Sequence, residues 1–314
     1  MILEEEVRKI LSNAVLKEER GVAATKYDKV VEEIINFCAE YIRPGTPTSQ
    51  FKSPDGTYVL RIPKEITDKF DFIEDLTLVI TLSDMGSSTV RDSGNGVTHF
   101  KYHHFTNPSD GKLQPISMEV NGFYYNGELL TRTILHSLYH EINHAYDVWV
   151  RKGTKKLGFL TDIEGKLGSV KNMVFSDDKN TNRFFQTIFY RLFIPTEFNA
   201  LISSVYGDLK GMNSDRANWK ADIKNTGAAW ALDWFARSFE EHLGNASVQV
   251  LMDACKSADV DGVSMENPRV FLITFRQAVD RKLREAWKRI GKTASMWYDA
   301  KEDMEVIKNG ITIQ

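Results

Sequence analysis

The chain has 314 residues, 42% of them hydrophobic and 26% charged, with 20 Gly and 8 Pro. Such fractions are globular averages and exclude a disordered or collagen-like chain, while the length suits one large domain or two modest ones. Forty basic against forty-three acidic side chains leave a net charge of −3, so no basic excess points to nucleic acid or an anionic membrane as partner.

Two cysteines, Cys38 and Cys255, are too few for a disulfide framework. The opening MILEEEVRKI lacks the basic and apolar regions of a secretory signal. No apolar run approaches the ~20 residues needed to span a bilayer. These features predict a protein without membrane contact, cytoplasmic or virion-associated.

Along the chain, Val7, Ile10, Leu11, Val15 and Leu16 recur at helical spacing. A second amphipathic run, Tyr27 to Ile42, places Val30, Val31, Ile34, Ile35 and Cys38 on one side. The prolines of Arg43-Pro44-Gly45-Thr46-Pro47 end it, because proline cannot donate to a continuing helix. Four strand candidates follow. Thr57 to Ile62 comes after the turn signal Pro54-Asp55-Gly56; Leu76 to Leu82 (LTLVITL) is β-branched; His99 to Phe105 alternates roughly and Ile116 to Val120 cleanly. After Asn126-Gly127 the pattern is helical: Glu128 to about Arg151, Asn182 to Phe193, Thr196 to about Leu209, Ala228 to Leu243, and Pro268 to about Tyr298. Leu157 to Asn180 is the least regular stretch. Segregated elements of this kind predict an α+β fold with N-terminal helices, a small, mostly antiparallel, twisted sheet and a helical C-terminal half. The expected divisions are an N-terminal helical segment (1–50), a core (51–210) and a helical subdomain (211–314).

One motif stands out. Residues 140–144 read His-Glu-Ile-Asn-His. Histidines four apart on a helix share a face, so both imidazoles can reach one tetrahedral Zn²⁺. Glu141 lies about 100° round the helix and can reach a metal-activated water as general base. Ile134, Leu138 and Ile142 form the opposite, apolar side. His136 extends the polar stripe one turn upstream as a neighbour rather than a ligand. Asp147, one turn beyond His144, is a candidate to hold an imidazole ring N–H.

With these residues the chain resembles the zincin superfamily of zinc metallopeptidases over roughly residues 55–210. The metzincin branch is excluded because Asp147 and Val150 stand where its Gly and third His belong. The aspzincin signature is absent. The gluzincin branch takes a Glu from a later helix, and Glu197, in Ile194-Pro-Thr-Glu-Phe-Asn-Ala200, is the best match; Glu240 and Glu241 are the alternatives. The aromatic run FFQTIFYRLFIP followed by TEFNA is similar in texture to zincins encoded by phages and gut bacteria.

The resemblance implies a zinc-dependent endopeptidase acting on a polypeptide, with Zn²⁺ on His140, His144 and Glu197 and Glu141 as base. It also implies a donor to the oxyanion, for which Tyr206 and His242 are candidates. An extended substrate would add to the edge strand, expected at Ile116 to Val120. His99, His103 and His104 read as surface or loop residues, and Trp287, Trp297 and Tyr298 as inward-facing parts of a basic helix. The alternative function is a catalytically silent zincin-fold protein that binds an assembly partner, for example within a virion.

Overall fold

The structure, a computed structural model, describes residues 27–41, 57–70, 77–84, 117–125, 128–129, 131–152 and 168–308. The run Val7–Leu16, the strand candidate His99–Phe105 with His103 and His104, and residues 157–167 lie outside them.

Helix α1 (Asp28–Tyr41) buries Val30, Val31, Ile34 and Cys38, the apolar face its spacing predicts. Strand β1 (Thr57–Arg61) leads into a single helical turn, α2 (Lys64–Thr67), and then come β2 (Thr77–Asp84), β3 (Ser117–Tyr125) and β4 (Glu128–Leu129). The sheet order is β1-β2-β3-β4. β1 runs antiparallel to β2 and β3 antiparallel to β4, but the long central pairing of β2 with β3 is parallel, with Thr77 opposite Ser117 and Asp84 opposite Tyr124. "Mostly antiparallel" therefore holds for the outer pairings and not for the central one. The residues between β2 and β3 make this possible, since parallel neighbours need a long crossover whereas a tight turn can join only antiparallel ones. β4 pairs only with Tyr124 and Tyr125, so among the described residues the rest of β3 is an edge.

The remainder is helical: α3 (Thr131–Lys152), α4 (Lys179–Ile188), a π-helical turn (Phe189–Phe193), α5 (Pro195–Gly211), α6 (Trp219–Lys224), α7 (Gly227–Asn245), α8 (Val248–Ser257) and α9 (Pro268–Lys308). α4, α7 and α8 begin at side-chain caps, Asp178 on Thr181 N, Thr226 on Ala229 N and Ser247 on Val250 N. α8 has no counterpart in the sequence reading; its β-branched start hides a helix that Ser247 caps. No described helix is long and apolar enough to cross a membrane.

One buried apolar cluster runs from α1 and the sheet through α3 and α5 to α9. Trp297 and Tyr298 of α9 are buried in it, and Trp287 is partly buried against it. At the centre α3 and α5 lie antiparallel and very close. A Cβ on Gly207 would sit 2.5 Å from the Leu135 carbonyl oxygen, and one on Gly211 2.7 Å from Arg132 Cα. Glycine at these two positions removes the atoms that would hold the helices apart. β3 packs against α3 on another side.

Candidate metal centre

α3 is buried on most of its circumference, with Ile134, Leu135, Leu138, Tyr139 and Ile142 all shielded. The remaining stripe carries His136, His140 and His144. The rings of His140 and His144 are 4.9 Å apart edge to face, and those of His136 and His140 are 6.5 Å apart and nearly parallel.

α5 supplies the facing carboxylate. Pro195 occupies its first turn, where the absent N–H costs nothing, and Glu197 follows in the same turn. α9 steadies this turn: Arg289 donates to Asn199 Oδ1 at 2.7 Å, and its guanidinium lies 4.9 Å from the centre of the Phe198 ring. The antiparallel crossing then brings Glu197 back to the second half of α3.

The three side chains converge. His140 Nε2 and His144 Nε2 are 3.3 Å apart. Glu197 Oε1 is 3.5 Å from His144 Nε2, and its Oε2 is 3.8 Å from His140 Nε2. Two ligands of a tetrahedral ion at ~2.0–2.1 Å stand about 3.3–3.4 Å from each other, so the spacing suits a shared divalent ion. Glu141 Oε1 lies 4.0 Å from His140 Nε2, and His140, Glu141 and His144 form a group able to hold a metal. Glu141 Oε2 is buried and has no hydrogen-bond partner among the described residues. A buried, unpaired carboxylate oxygen beside a second buried carboxylate is costly unless a cation or a polar guest meets it. The donor set therefore fits a metal ion: two imidazole nitrogens, a hard oxygen and a spare acceptor alongside.

Electrostatics agree with this reading. Burial, then the neighbouring His144, Arg191 and His136, push the His140 imidazole well below its ordinary range, so the ring stays neutral with a lone pair to give. Burial and the charge of Glu197 push Glu141 well above the usual carboxylate range. Such a shift suits a group that must take and release a proton.

Tyr190 was not among the sequence candidates. It stands in the π-helical turn before α5, and its hydroxyl hydrogen-bonds the Glu197 carboxylate; burial and that carboxylate raise its pKa. A sequence signal did exist, since Tyr190 is the one hydroxyl-bearing aromatic in the run Phe184–Phe193, seven residues before Glu197. π-helical turns often coincide with functional sites because they re-aim a side chain.

Other candidates have different surroundings. Tyr206 lies nine residues along α5 from Glu197, about 13.5 Å of helix and half a revolution away. It is fully buried, donates to Asp28 Oδ2 at 2.7 Å, and packs on Tyr139 and Trp297. His242 is buried 4.3 Å from the ring centre of Phe184, with Nδ1 3.0 Å from Thr181 Oγ1. The structure does not bring either to the cluster. Glu240 pairs bidentately with Arg276 at 2.8 and 2.9 Å on the surface, and the backbone carbonyl of the exposed Glu241 next to it accepts from Asn245 Nδ2. The Asp147 side chain lies outside the described residues. The expected edge Ile116–Val120 falls on β3, beginning at Ser117.

Comparison with protein-family models, with curated proteins and with solved structures finds no match to this chain.

Proposed function

We propose that this protein is a zinc-dependent metallopeptidase of gluzincin type, hydrolysing peptide bonds in a polypeptide substrate. The observation that carries the reading is the convergence of His140 Nε2, His144 Nε2 and the Glu197 carboxylate beside the buried Glu141 Oε2, which no described residue hydrogen-bonds.

His140, His144 and Glu197 would hold the ion. When bound, zinc supplies Lewis-acid polarisation of the scissile carbonyl and makes water acidic enough to attack near neutral pH. The chain does the rest. Burial keeps the His140 imidazole neutral, and the Nε2 atoms of His140 and His144 face one point. Tyr190 fixes the Glu197 carboxylate by its hydroxyl. Glu141 Oε2 takes a proton from the attacking water as the new C–O bond forms. It gives that proton to the nitrogen as the C–N bond breaks, so water adds across the peptide bond with no net change at Glu141. The high proton affinity that burial and the charge of Glu197 give Glu141 suits the first transfer, and the greater basicity of the departing amine nitrogen draws the proton on in the second.

The test is zinc analysis of the purified protein together with cleavage of casein, using Glu141→Gln as control. The reading expects one zinc per chain, retained in the variant, and cleavage lowered ~10²–10⁴-fold. Zinc bound without Glu141-dependent cleavage would instead assign the silent scaffold that serves an assembly partner. Absence of zinc binding would refute both.

A further inference from the structure

His136 is the polar residue of the α3 stripe that the proposed chemistry leaves unused, and its surroundings are built with care. Its Nδ1 lies 3.1 Å from Asp208 Oδ2. That same oxygen accepts from the backbone N–H of Gly227 at 2.8 Å, while Asp208 Oδ1 is 3.6 Å from Arg132 Nε. Asp208 is itself buried. Gly227 lies close to the imidazole edge, since a Cβ there would come within 3.1 Å of His136 Cε1. Three helices thus meet on one ring: α3 carries it, α5 holds its nitrogen, and the first residue of α7 covers its edge.

A carboxylate at Nδ1 places the ring proton there and leaves the Nε2 lone pair free. No described residue hydrogen-bonds Nε2. Side-chain exposure rises along the stripe from 10% at His144 to 15% at His140 and 29% at His136, so the stripe opens to solvent at the His136 end. A packed structural histidine would use both nitrogens or bury the second. This one is oriented and held through Nδ1, partly exposed, and has no described partner at Nε2, one helical turn from the candidate ligands.

We propose that His136, positioned by Asp208, contacts the substrate: its Nε2 accepts a hydrogen bond from a backbone N–H of the polypeptide bound over the metal cluster. The proposal rests on the metallopeptidase reading of that cluster. A peptide N–H is the partner that fits, because in this tautomer Nε2 can only accept and each substrate residue other than proline brings one such donor. Asp208 acts through His136 and is a positioning residue.

The experiment uses zinc-loaded full-length protein and the peptide cut fastest from a casein digest, with a series of that peptide N-methylated at one amide at a time. His136→Phe should raise KM about tenfold, the equivalent of one well-made hydrogen bond, with kcat within about threefold and zinc content unchanged. One N-methylated peptide should show the same loss with the wild-type protein and no further loss with His136→Phe. His136→Gln, whose amide oxygen can accept at the same place, should recover most of the affinity, which keeps the test open if the Phe variant folds poorly. Long-range ¹⁵N–¹H NMR should find the proton on Nδ1 of His136 in the wild type and on Nε2 in Asp208→Ala. Additive losses from the variant and every N-methyl group, or an effect on zinc affinity in place of KM, would overturn the proposal. A wild-type protein that binds zinc but cuts no peptide would refute the metallopeptidase reading, and the proposal with it.

Discussion

His144 Nε2 and Glu197 Oε1, fifty-three positions apart in sequence, stand 3.5 Å from each other across the crossing of α3 and α5. Without an ion, that places a buried carboxylate against buried imidazoles and leaves Glu141 Oε2 without a partner among the described residues. Metal should therefore stabilise the fold. At a hundredfold excess over its dissociation constant, zinc should add ~2.7 kcal/mol, read as a rise in Tm that a chelator reverses. His140→Ala, His144→Ala and Glu197→Gln should each abolish the rise, and an undiminished shift in all three would show that the ion binds elsewhere.

Tyr190 should matter to the metal before it matters to chemistry. Removing its hydroxyl frees the Glu197 carboxylate to rotate, so Tyr190→Phe should weaken zinc binding about 10–100-fold. Competition against a fluorescent chelator measures this directly. Equal affinities in variant and wild type would mean that the hydroxyl has no hold on the ligand.

The helix crossing depends on an absent side chain. Gly207→Ala puts a methyl 2.5 Å from the Leu135 carbonyl oxygen and 2.7 Å from Tyr139 Cδ2. Neither the backbone nor that tightly packed ring can move aside. Although alanine is the better helix former, overpacking should win, at a net cost of about 1–3 kcal/mol in urea unfolding. The same displacement should impair zinc binding, because it moves α5 and Glu197 together. A variant as stable as the parent would show that the helices have room to part.

Asp28 joins α1 to the rear of this crossing. It accepts hydrogen bonds from the hydroxyls of Tyr139 and Tyr206 and lies 3.1 Å from Lys210 Nζ. Asp28→Ala leaves two buried phenols without an acceptor, at about 1–3 kcal/mol for each unsatisfied group. Adding Tyr206→Phe should cost less in that background than alone, and a double-mutant cycle reads the coupling. Strict additivity would mean that the two residues do not interact.

Alkali should find the fold's weak side. Burial pushes the Cys38 thiol up to about 12, Tyr298 is likewise raised to about 12, and Tyr139 and Tyr206 move upward next to Asp28. Each group is held neutral in the folded state and ionises more readily once unfolded. The stability this contributes is complete below the unfolded values, ~8.5 for the thiol and ~10 for the phenols, and is lost as pH climbs towards about 12. Urea midpoints should fall steadily from about pH 9 upward, with Cys38 inert to thiol reagents until unfolding. A flat profile to pH 11 would contradict the burial of these groups.

The sequence alone determined what is local. The four-residue spacing of His140 and His144 on a helix with an apolar far side follows from the period of the α-helix, and so do the inward face of α1 and the run of helices from Thr131 on, although Glu128 and Leu129, read as its start, form the short strand β4. Strand candidates were legible from β-branched and alternating runs, whereas their parallel central pairing was not, because period-2 alternation carries no direction. Among Glu197, Glu240 and Glu241, sequence could only rank. What brings Glu197 to the histidines is the close antiparallel crossing that Gly207 and Gly211 allow, while Arg276 occupies Glu240. Tyr190, Asp208 and the mates of Tyr206 and His242 belong to the same class. Helical periodicity says which face a side chain occupies; which other face it meets depends on packing between segments dozens of residues apart, and only the folded chain decides that.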